Sequence, residues 1–145
     1  MFALQTFFLE VQTTQGTDIL DLTHLVQEQV RAGGISDGVA TLFIAGSTAA
    51  LTTIEYESGV VNDLRGAIER LFPRDLVYEH DRRWGDGNGY AHVRAAFLKP
   101  SLSIPVEQGK LVLGTWQQIV LLDFDNRPRS RSIRGQVMGL KRPQG

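Results

Sequence analysis

The chain has 145 residues, of which 42% are hydrophobic and 21% charged, and it carries a formal net charge of −1 and no cysteine. That length and balance predict a single domain over residues 1–145, neither disordered nor basic enough to indicate binding to nucleic acid. The missing thiols exclude disulfide bonds, cysteine nucleophiles and cysteine-ligated metal centres. No apolar run approaches the roughly 20 residues that span a bilayer, and the N-terminus lacks a basic segment and a cleavage site. We therefore expect a cytoplasmic protein that makes no membrane contact.

The first part of the chain predicts a strand, a helix and a second strand. Residues 2–12 are rich in aromatic and β-branched side chains and predict the first strand. Residues 16–34 predict a helix, which Thr17 or Asp18 caps at its start and a Gly-Gly pair closes at its end. A near-continuous apolar run at 38–46 predicts a strand that is buried on both faces.

The middle of the chain predicts two further helices. Residues 46–57 predict a hydroxyl-rich turn and then an extended segment, and residues 58–73 predict an amphipathic helix that ends at its proline. A short extended piece follows at 76–80. Residues 89–98 then predict a third helix, with Asn88 as its cap. These last two helices flank the glycine-rich stretch HDRRWGDGNGYAH.

The last third predicts strands at 101–106, 116–125 and 129–139. The strand at 116–125 is apolar on both faces, which indicates layers of structure on both of its sides. Together the elements predict an α+β fold, in which a layered mixed or antiparallel sheet of seven or eight strands is combined with three helices. Residues 140–145 predict a flexible polar tail.

Two of the three histidines lie in the stretch HDRRWGDGNGYAH. Its three glycines allow a tight turn, so we expect His80, Asp86 and His92 to converge. Two imidazoles and a carboxylate suit a divalent metal such as Mg or Zn, with His80 and His92 as ligands. The same groups suit acid–base catalysis. A surface loop that carries these groups without a function is the alternative.

Two arginines in the same stretch, Arg82 and Arg83, lie just before the helix predicted at 89–98. The N-terminus of a helix presents free N–H groups and a partial positive charge, and Asn88 lies at that end. Arginines beside it are suited to clamp a phosphate group. The alternative is a pair of solvated surface arginines.

The segment GSTAALTT supplies hydroxyl groups at Ser47, Thr48 and Thr52. A Gly-Ser-Thr turn can hold phosphate through its hydroxyl and amide groups. The segment lacks the spacing and the lysine of a P-loop, and threonine is also a common strand residue. The hydroxyl groups therefore predict either a phosphate site or an ordinary strand.

A cluster of four arginines follows in RPRSRSIR, residues 127–134. No aromatic side chains alternate with them and the whole chain is slightly acidic, so they do not predict a nucleic-acid site. They are interpreted as charges that protect a sheet edge or line a subunit interface.

Three blocks resemble the YjbQ-like family, in order along residues 5–139: GSTAALTTIEYESGVVNDL, PRDLVYEHDRRWGDGNGYAHVRAAFLKPSLSIPV and LGTWQQIVLLDFDNRPRSR. Members of that family are described as secondary thiamine-phosphate synthases, which join a pyrimidine diphosphate to a thiazole phosphate with loss of pyrophosphate. The resemblance implies a transferase that acts on small phosphorylated metabolites. It also implies a compact α+β fold and a homotrimer whose clefts lie between subunits.

The resemblance implies a set of polar site residues. They are His80, Asp86, Asn88, His92, Thr115 and Gln117, together with Ser47, Thr48, Thr52 and Glu55. In the leading hypothesis His80 and His92 are metal ligands or acid–base groups that Asp86 orients. Asn88, Arg82 and Arg83 then bind phosphate.

Two rival hypotheses follow from the same residues. Many relatives carry a histidine where this chain has Gly46. A chain without that group fits a trimeric protein that binds a phosphorylated metabolite or a metal without turnover. In the other rival, the polar residues are only contacts between subunits.

Overall fold

The computed structural model of the chain describes residues 1–143. Within that range it contains eight strands and four helices, so the predicted α+β fold is confirmed. In chain order the elements are β1 (Phe2–Gln12), β2 (Asp18–Asp21), α1 (Thr23–Gly33), β3 (Ile35–Ile44), β4 (Ala49–Ile54), α2 (Ser58–Leu71), α3 (Glu79–Trp84), α4 (Gly89–Leu98), β5 (Ser101–Glu107), β6 (Lys110–Leu111), β7 (Gln118–Asp123) and β8 (Ser130–Lys141).

The strands form two antiparallel sheets. The larger sheet has the strand order β1-β8-β3-β5-β6, and the smaller one has the order β2-β7-β4. Strand β8 therefore lies inside the larger sheet and β7 inside the smaller one. The segment 124–129 joins these two interior strands, and it supplies part of the candidate site.

Strand β7 separates two hydrophobic cores, as its two apolar faces predict. Ile119 and Leu121 belong to the core that the two sheets share with α1. Val120 and Leu122 face the other way, into a core that they share with α2 and α4. All four side chains are fully buried, which at about 2 kcal/mol each makes β7 a main source of the hydrophobic stabilisation.

Helix α4 is fixed to the C-terminal end of α2 by a buried arginine. The Arg94 guanidinium is only 1% exposed, and its Nε and Nη2 donate to the Phe72 carbonyl over 3.1 and 2.8 Å. It also forms an ion pair with Glu69 and lies 4.8 Å from the centre of the Tyr90 ring. Because a buried charge is stable only when it is paired and hydrogen-bonded, this arrangement constrains the position of α4.

The helix predicted at 16–34 begins later than its sequence pattern indicates. Residues Asp18–Asp21 form strand β2, and only Thr23–Gly33 are helical, so Thr17 and Asp18 do not cap the helix. The pairing of β2 with β7 overrides the local helical spacing. The predicted end is correct, since Gly34 closes α1 in the left-handed conformation.

Three other predictions need correction. Strand β3 alternates between buried and exposed residues instead of being buried on both faces, because no described element covers the outer face of the larger sheet. The segment predicted as extended at 76–80 runs into a fourth helix, the short α3. Leu140 and Lys141, placed in a flexible tail, continue β8 because they pair with Phe2 and Ile35. Residues 144–145 of that tail lie outside the described residues.

Among the described helices, none is long and apolar enough to cross a membrane.

Candidate functional site

The histidines of HDRRWGDGNGYAH lie in a cleft of about 370 Å³, here called the histidine cleft. Helices α3 and α4 and the turn between them form one wall, which carries His80, Asp86, Asn88 and His92. The segment after β7 and the start of β8 form the opposite wall. The side chains that line that wall are those of Asp125, Arg127, Arg129 and Arg131, and Ser47 and Thr48 border the cleft from the loop before β4.

A glycine turn brings the two histidines together. Gly85 and Gly87 have φ angles of +72° and +71°, a left-handed conformation that glycine adopts without a steric penalty. The chain therefore reverses between α3 and α4, and the rings of His80 and His92 lie with their centres 4.4 Å apart at 39°. Gly89 tightens the junction further, because a Cβ at this position would lie 2.6 Å from Tyr78 Cβ.

His80 lies between two carboxylates. Its Nδ1 is 3.3 Å from Asp81 Oδ1 and 3.4 Å from Asp86 Oδ1. Ligand atoms of these three residues all lie within 4.8 Å of one another. One imidazole with two carboxylates suits a divalent ion. The ligands placed to bind one metal ion are thus His80, Asp81 and Asp86. The sequence had instead predicted His80 and His92 as the metal ligands.

The carboxylate of Asp81, a residue of α3, also lies at the start of helix α4. Its Oδ1 accepts a hydrogen bond from the Gly89 backbone N–H over 2.8 Å. The sequence analysis expected free N–H groups at this helix end to bind phosphate, and the first of them is already satisfied. Asn88 does not cap the helix with its side chain either.

The pKa of His92 lies below its usual value. Burial is the main cause, because it disfavours the charged imidazolium, and the neighbouring His80 lowers the pKa further. The nearby carboxylates Asp86 and Asp125 raise it by less. His92 is therefore neutral at pH 7 and available to accept a proton.

A buried ionic network forms the floor of the cleft. Asp125 accepts hydrogen bonds from Asn88 Nδ2 (3.1 Å), Thr48 Oγ1 (3.2 Å) and Arg129 Nε (2.7 Å). Burial alone would raise the pKa of Asp125, but Asn88, the Asn126 N–H and Arg129 hold it below its usual value. The carboxylate is therefore ionised, and it fixes the position of three side chains that line the cleft.

A second ion pair, between Arg131 and Asp123, shares Thr48 with this network. Arg131 is buried inside the larger sheet and donates to both oxygens of Asp123, over 2.7 and 3.0 Å. Its Nη2 also donates to Thr48 Oγ1 over 2.7 Å. Arg131 is thus a structural cation, and its interpretation as a charge at a sheet edge is wrong because β8 lies between β1 and β3.

Arg127 and Asn88 each present to the cleft a polar group that has no partner among the described residues. Arg127 is exposed and forms no ion pair within residues 1–143. The buried Asn88 Oδ1 accepts no hydrogen bond from any described residue. A buried acceptor without a donor costs about 1–3 kcal/mol, which a donor on a bound molecule would recover.

The predicted site residues do not all meet in one place. His80, Asp86, Asn88, His92, Ser47 and Thr48 share the histidine cleft. Thr52 and Gln117 line a second cleft of about 410 Å³, and Glu55 and Thr115 line a third of about 500 Å³. Arg82 and Arg83 are exposed on α3 and do not line the histidine cleft.

The wall formed by Asp125, Arg127 and Arg129 was not predicted from the sequence. A signal was present, because these residues alternate along DFDNRPRSR, the spacing that places side chains on one side of an extended chain. Asp125 forms hydrogen bonds with Asn88 and Thr48, which lie 37 and 77 residues away from it in the chain. Such distant pairing is not visible in local spacing.

Comparisons with known proteins give one consistent result. The model of the family described as UPF0047 protein YjbQ-like matches residues 8–140. A UPF0047 protein of Archaeoglobus fulgidus is 38% identical over 125 residues, which cover 86% of this chain and 94% of that protein. The UPF0047 protein YugU of Bacillus subtilis is 32% identical over 90% of this chain and 97% of its own length.

Solved structures share the fold. The crystal structure of a YbjQ-like protein of unknown function from Sulfolobus solfataricus has a TM-score of 0.85 and 31% identity, and the match covers 94% of this chain and 99% of that one. A YjbQ/UPF0047 protein from Clostridium acetobutylicum gives a TM-score of 0.82 with 32% identity, over 90% and 98% of the two chains.

Proposed function

The chain belongs to the UPF0047 family of YjbQ-like proteins, and from this premise we propose that its histidine cleft is the active site of an enzyme that acts on small phosphorylated metabolites. One observation carries the proposal. The cleft combines a neutral imidazole, an imidazole between two carboxylates and an unpaired guanidinium around the same space. This combination supplies a base, a possible cation site and a counter-charge for phosphate.

The reaction that fits best is the thiamine-phosphate synthase type. The ring nitrogen of a thiazole phosphate forms a bond to the methylene carbon of a pyrimidine diphosphate. The bond from that carbon to the diphosphate oxygen breaks, and its electron pair leaves with pyrophosphate. No group is oxidised or reduced, so the protein needs chiefly to stabilise the negative charge of the leaving group.

Different residues of the cleft would bind the substrate and stabilise the charge of the leaving group. Arg127 places positive charge beside the leaving diphosphate, and Asn88 accepts a hydrogen bond from the substrate. His80, Asp81 and Asp86 would hold a divalent ion, which would neutralise further phosphate charge when bound. His92 contacts the substrate as a neutral acceptor.

The same proposal includes a homotrimer whose clefts lie between subunits. In one chain Thr52 and Gln117 lie outside the histidine cleft. A neighbouring copy would bring them to it.

The outer face of the larger sheet supports this assembly, because it exposes several large apolar side chains. The register aligns Leu4, Met138 and Val39 across three strands, and each is about half exposed. Such a face is typical of a surface that another protein covers.

The test is product formation from hydroxymethylpyrimidine diphosphate and thiazole phosphate by the purified protein, with and without Mg²⁺. We expect product from the wild type and a loss of about tenfold in kcat/KM for His92→Ala, because a hydrogen-bond acceptor for the substrate is removed. His24→Ala removes the exposed histidine of α1 and should leave the rate unchanged. Equal rates for His92→Ala and wild type, with both folded, would remove His92 from the mechanism.

A binding protein without turnover is the second candidate, and Gly46 favours it. Gly46 lines the cleft, and a Cβ there would lie 3.0 Å from Arg131 Nη1, so this chain has little room for the histidine that the family resemblance implies at this position. Saturable binding of the diphosphate substrate with no product under any metal would support this candidate over the enzyme.

A further inference from the structure

A second site of interest is a cleft of about 500 Å³, where the end of β4, the start of α1 and the turn before β7 meet. It lies on the side of β4 that faces away from α3 and α4. It is here called the Trp116 cleft. Its lining includes three carboxylates, those of Asp21, Glu55 and Glu57, and two aromatic side chains, those of Tyr56 and Trp116. The cleft therefore combines carboxylate groups with aromatic surface.

The charge of this cleft is negative. No lysine or arginine is among the described residues that line it. Glu55 is exposed, and within residues 1–143 its carboxylate forms no hydrogen bond or ion pair. Glu57 accepts hydrogen bonds from two N–H groups at the start of α2, which hold its pKa below the usual value, and Asp21 accepts from Thr23. The cleft therefore repels phosphate and attracts cations.

The aromatic surface is held open to solvent. Trp116 is 73% exposed, and it lies on a turn in which the Gly114 N–H donates to Gln117 Oε1 over 3.0 Å and the Gln117 N–H donates to the Gly114 carbonyl over 3.1 Å. Gln117 Nε2 also donates to Thr53 Oγ1 over 3.0 Å. The turn is thus fixed at both ends while the indole stays uncovered.

Tyr56 is fixed as well. Its hydroxyl donates to the Ile19 carbonyl of β2 over 2.8 Å, so its ring cannot swing away from the cleft. An aromatic ring that is held in place and beside a free carboxylate is the arrangement that recognises organic cations, through cation–π attraction and charge together.

We propose that the Trp116 cleft binds an organic cation, either a quaternary ammonium group or an N-alkylated aromatic ring, against Trp116 and with its charge beside Glu55. The inference depends on the composition of this cleft and not on the function proposed above. It also assigns Glu55 and Thr115 to a cation, where the family resemblance placed them in a phosphate site. His24 lines the same cleft, and the test is made at pH 8.

The probe pair is choline and its neutral carbon isostere, 3,3-dimethylbutan-1-ol. The two tryptophans, Trp84 and Trp116, give two indole N–H signals in an NMR spectrum, and Trp84→Phe assigns them. We expect choline to shift the Trp116 signal with saturation and to leave the Trp84 signal unchanged. The neutral isostere should bind at least about fivefold more weakly, because it lacks the charge.

Two matched variants test the role of the carboxylate. Glu55→Gln should raise the Kd of choline by about fivefold, whereas Glu10→Gln, an exposed glutamate of β1 outside the cleft, should leave it unchanged. Equal binding of the two probes, or equal Kd values in the two variants, would overturn the proposal. An indole signal of Trp116 that does not respond to choline would also overturn it, including the case in which a second copy of the chain covers the cleft.

Discussion

His92 shows how burial and one neighbour determine the behaviour of a side chain in the cleft. Its pKa is lowered first by burial and then by His80. A histidine with a lowered pKa in the folded state binds a proton more readily when unfolded. Protonation of His92 therefore costs stability as the pH falls below the usual histidine range, and the imidazole is neutral where the proposed reaction takes place.

We predict that the NMR titration midpoint of His92 lies below the usual value for a histidine side chain. Replacing His80 with Gln should raise the midpoint of His92 only in part, because the effect of burial persists while the repulsion from His80 is removed. His24→Gln is the control and should leave the His92 midpoint in place. A His92 midpoint at or above the usual histidine value would contradict the account.

Asp125 is the residue on which the floor of the cleft depends most. It is 1% exposed and ionised, and it accepts hydrogen bonds from Asn88, Thr48 and Arg129. A carboxylate with a lowered pKa contributes stability above its unfolded pKa, and this contribution is lost as the pH falls through the folded pKa. The network therefore stabilises the fold at neutral pH and weakens in acid.

Asp125→Asn should lower the free energy of unfolding at pH 7 by roughly 2–4 kcal/mol, because it leaves Arg129 without its buried counter-charge. Chemical denaturation at pH 7 and at pH 3 measures the effect, and the difference between variant and wild type should shrink at the lower pH. Asp75→Asn, at an exposed aspartate, should change stability by less than about 0.5 kcal/mol. A loss below about 1 kcal/mol for Asp125→Asn would show that the network is weakly coupled to the fold.

At the scale of elements, the site depends on how closely α3 and α4 approach each other. Gly89 begins α4 against Tyr78, and its N–H is held by Asp81. The junction has no room for a methyl group at this position. The distance between His80 and His92 therefore follows from a glycine that neither of them contacts.

Gly89→Ala should separate the two helices, lower stability by about 1–3 kcal/mol and weaken the binding of ligands in the histidine cleft. Gly66→Ala is the matched control, since Gly66 lies inside α2 and a Cβ there would meet only the flexible end of Arg70. It should raise stability by up to about 1 kcal/mol. Equal stability of the two variants would refute a close contact at Gly89.

The elements also show how far the sequence predicts this molecule. Strand β1 has the predicted bounds, and the convergence of His80 and His92 was expected, because alternation and a glycine turn are local signals. Strand β2 was predicted as helix, because only its pairing with β7 makes it extended. The wall formed by Asp125, Arg127 and Arg129 was missed for the same reason, since its role depends on contacts with distant segments of the chain.

At the scale of the whole molecule, the larger sheet has one buried and one exposed face. Val39, Phe43 and Met138 are each 44–50% exposed on the outer face. The register places Leu4, Met138 and Val39 side by side across three strands, so these side chains form one apolar surface. A homotrimer would remove it from water.

Phe43→Glu should therefore reduce the mass measured by sedimentation to that of one chain, because a charge on this face cannot be buried between subunits without a partner. Leu71→Glu is the control, at a side chain that is 70% exposed on α2, and it should leave the mass unchanged. A wild-type protein that sediments as a single chain would contradict the proposed trimer.

The central claim is that the histidine cleft binds a phosphorylated ligand, and calorimetric titration with pyrophosphate tests it most directly. The wild type should bind pyrophosphate, Arg127→Gln should bind it about tenfold more weakly, and Arg82→Gln, outside the cleft, should match the wild type. Absence of binding to the wild type, or a loss of affinity in Arg82→Gln but not in Arg127→Gln, would contradict the account.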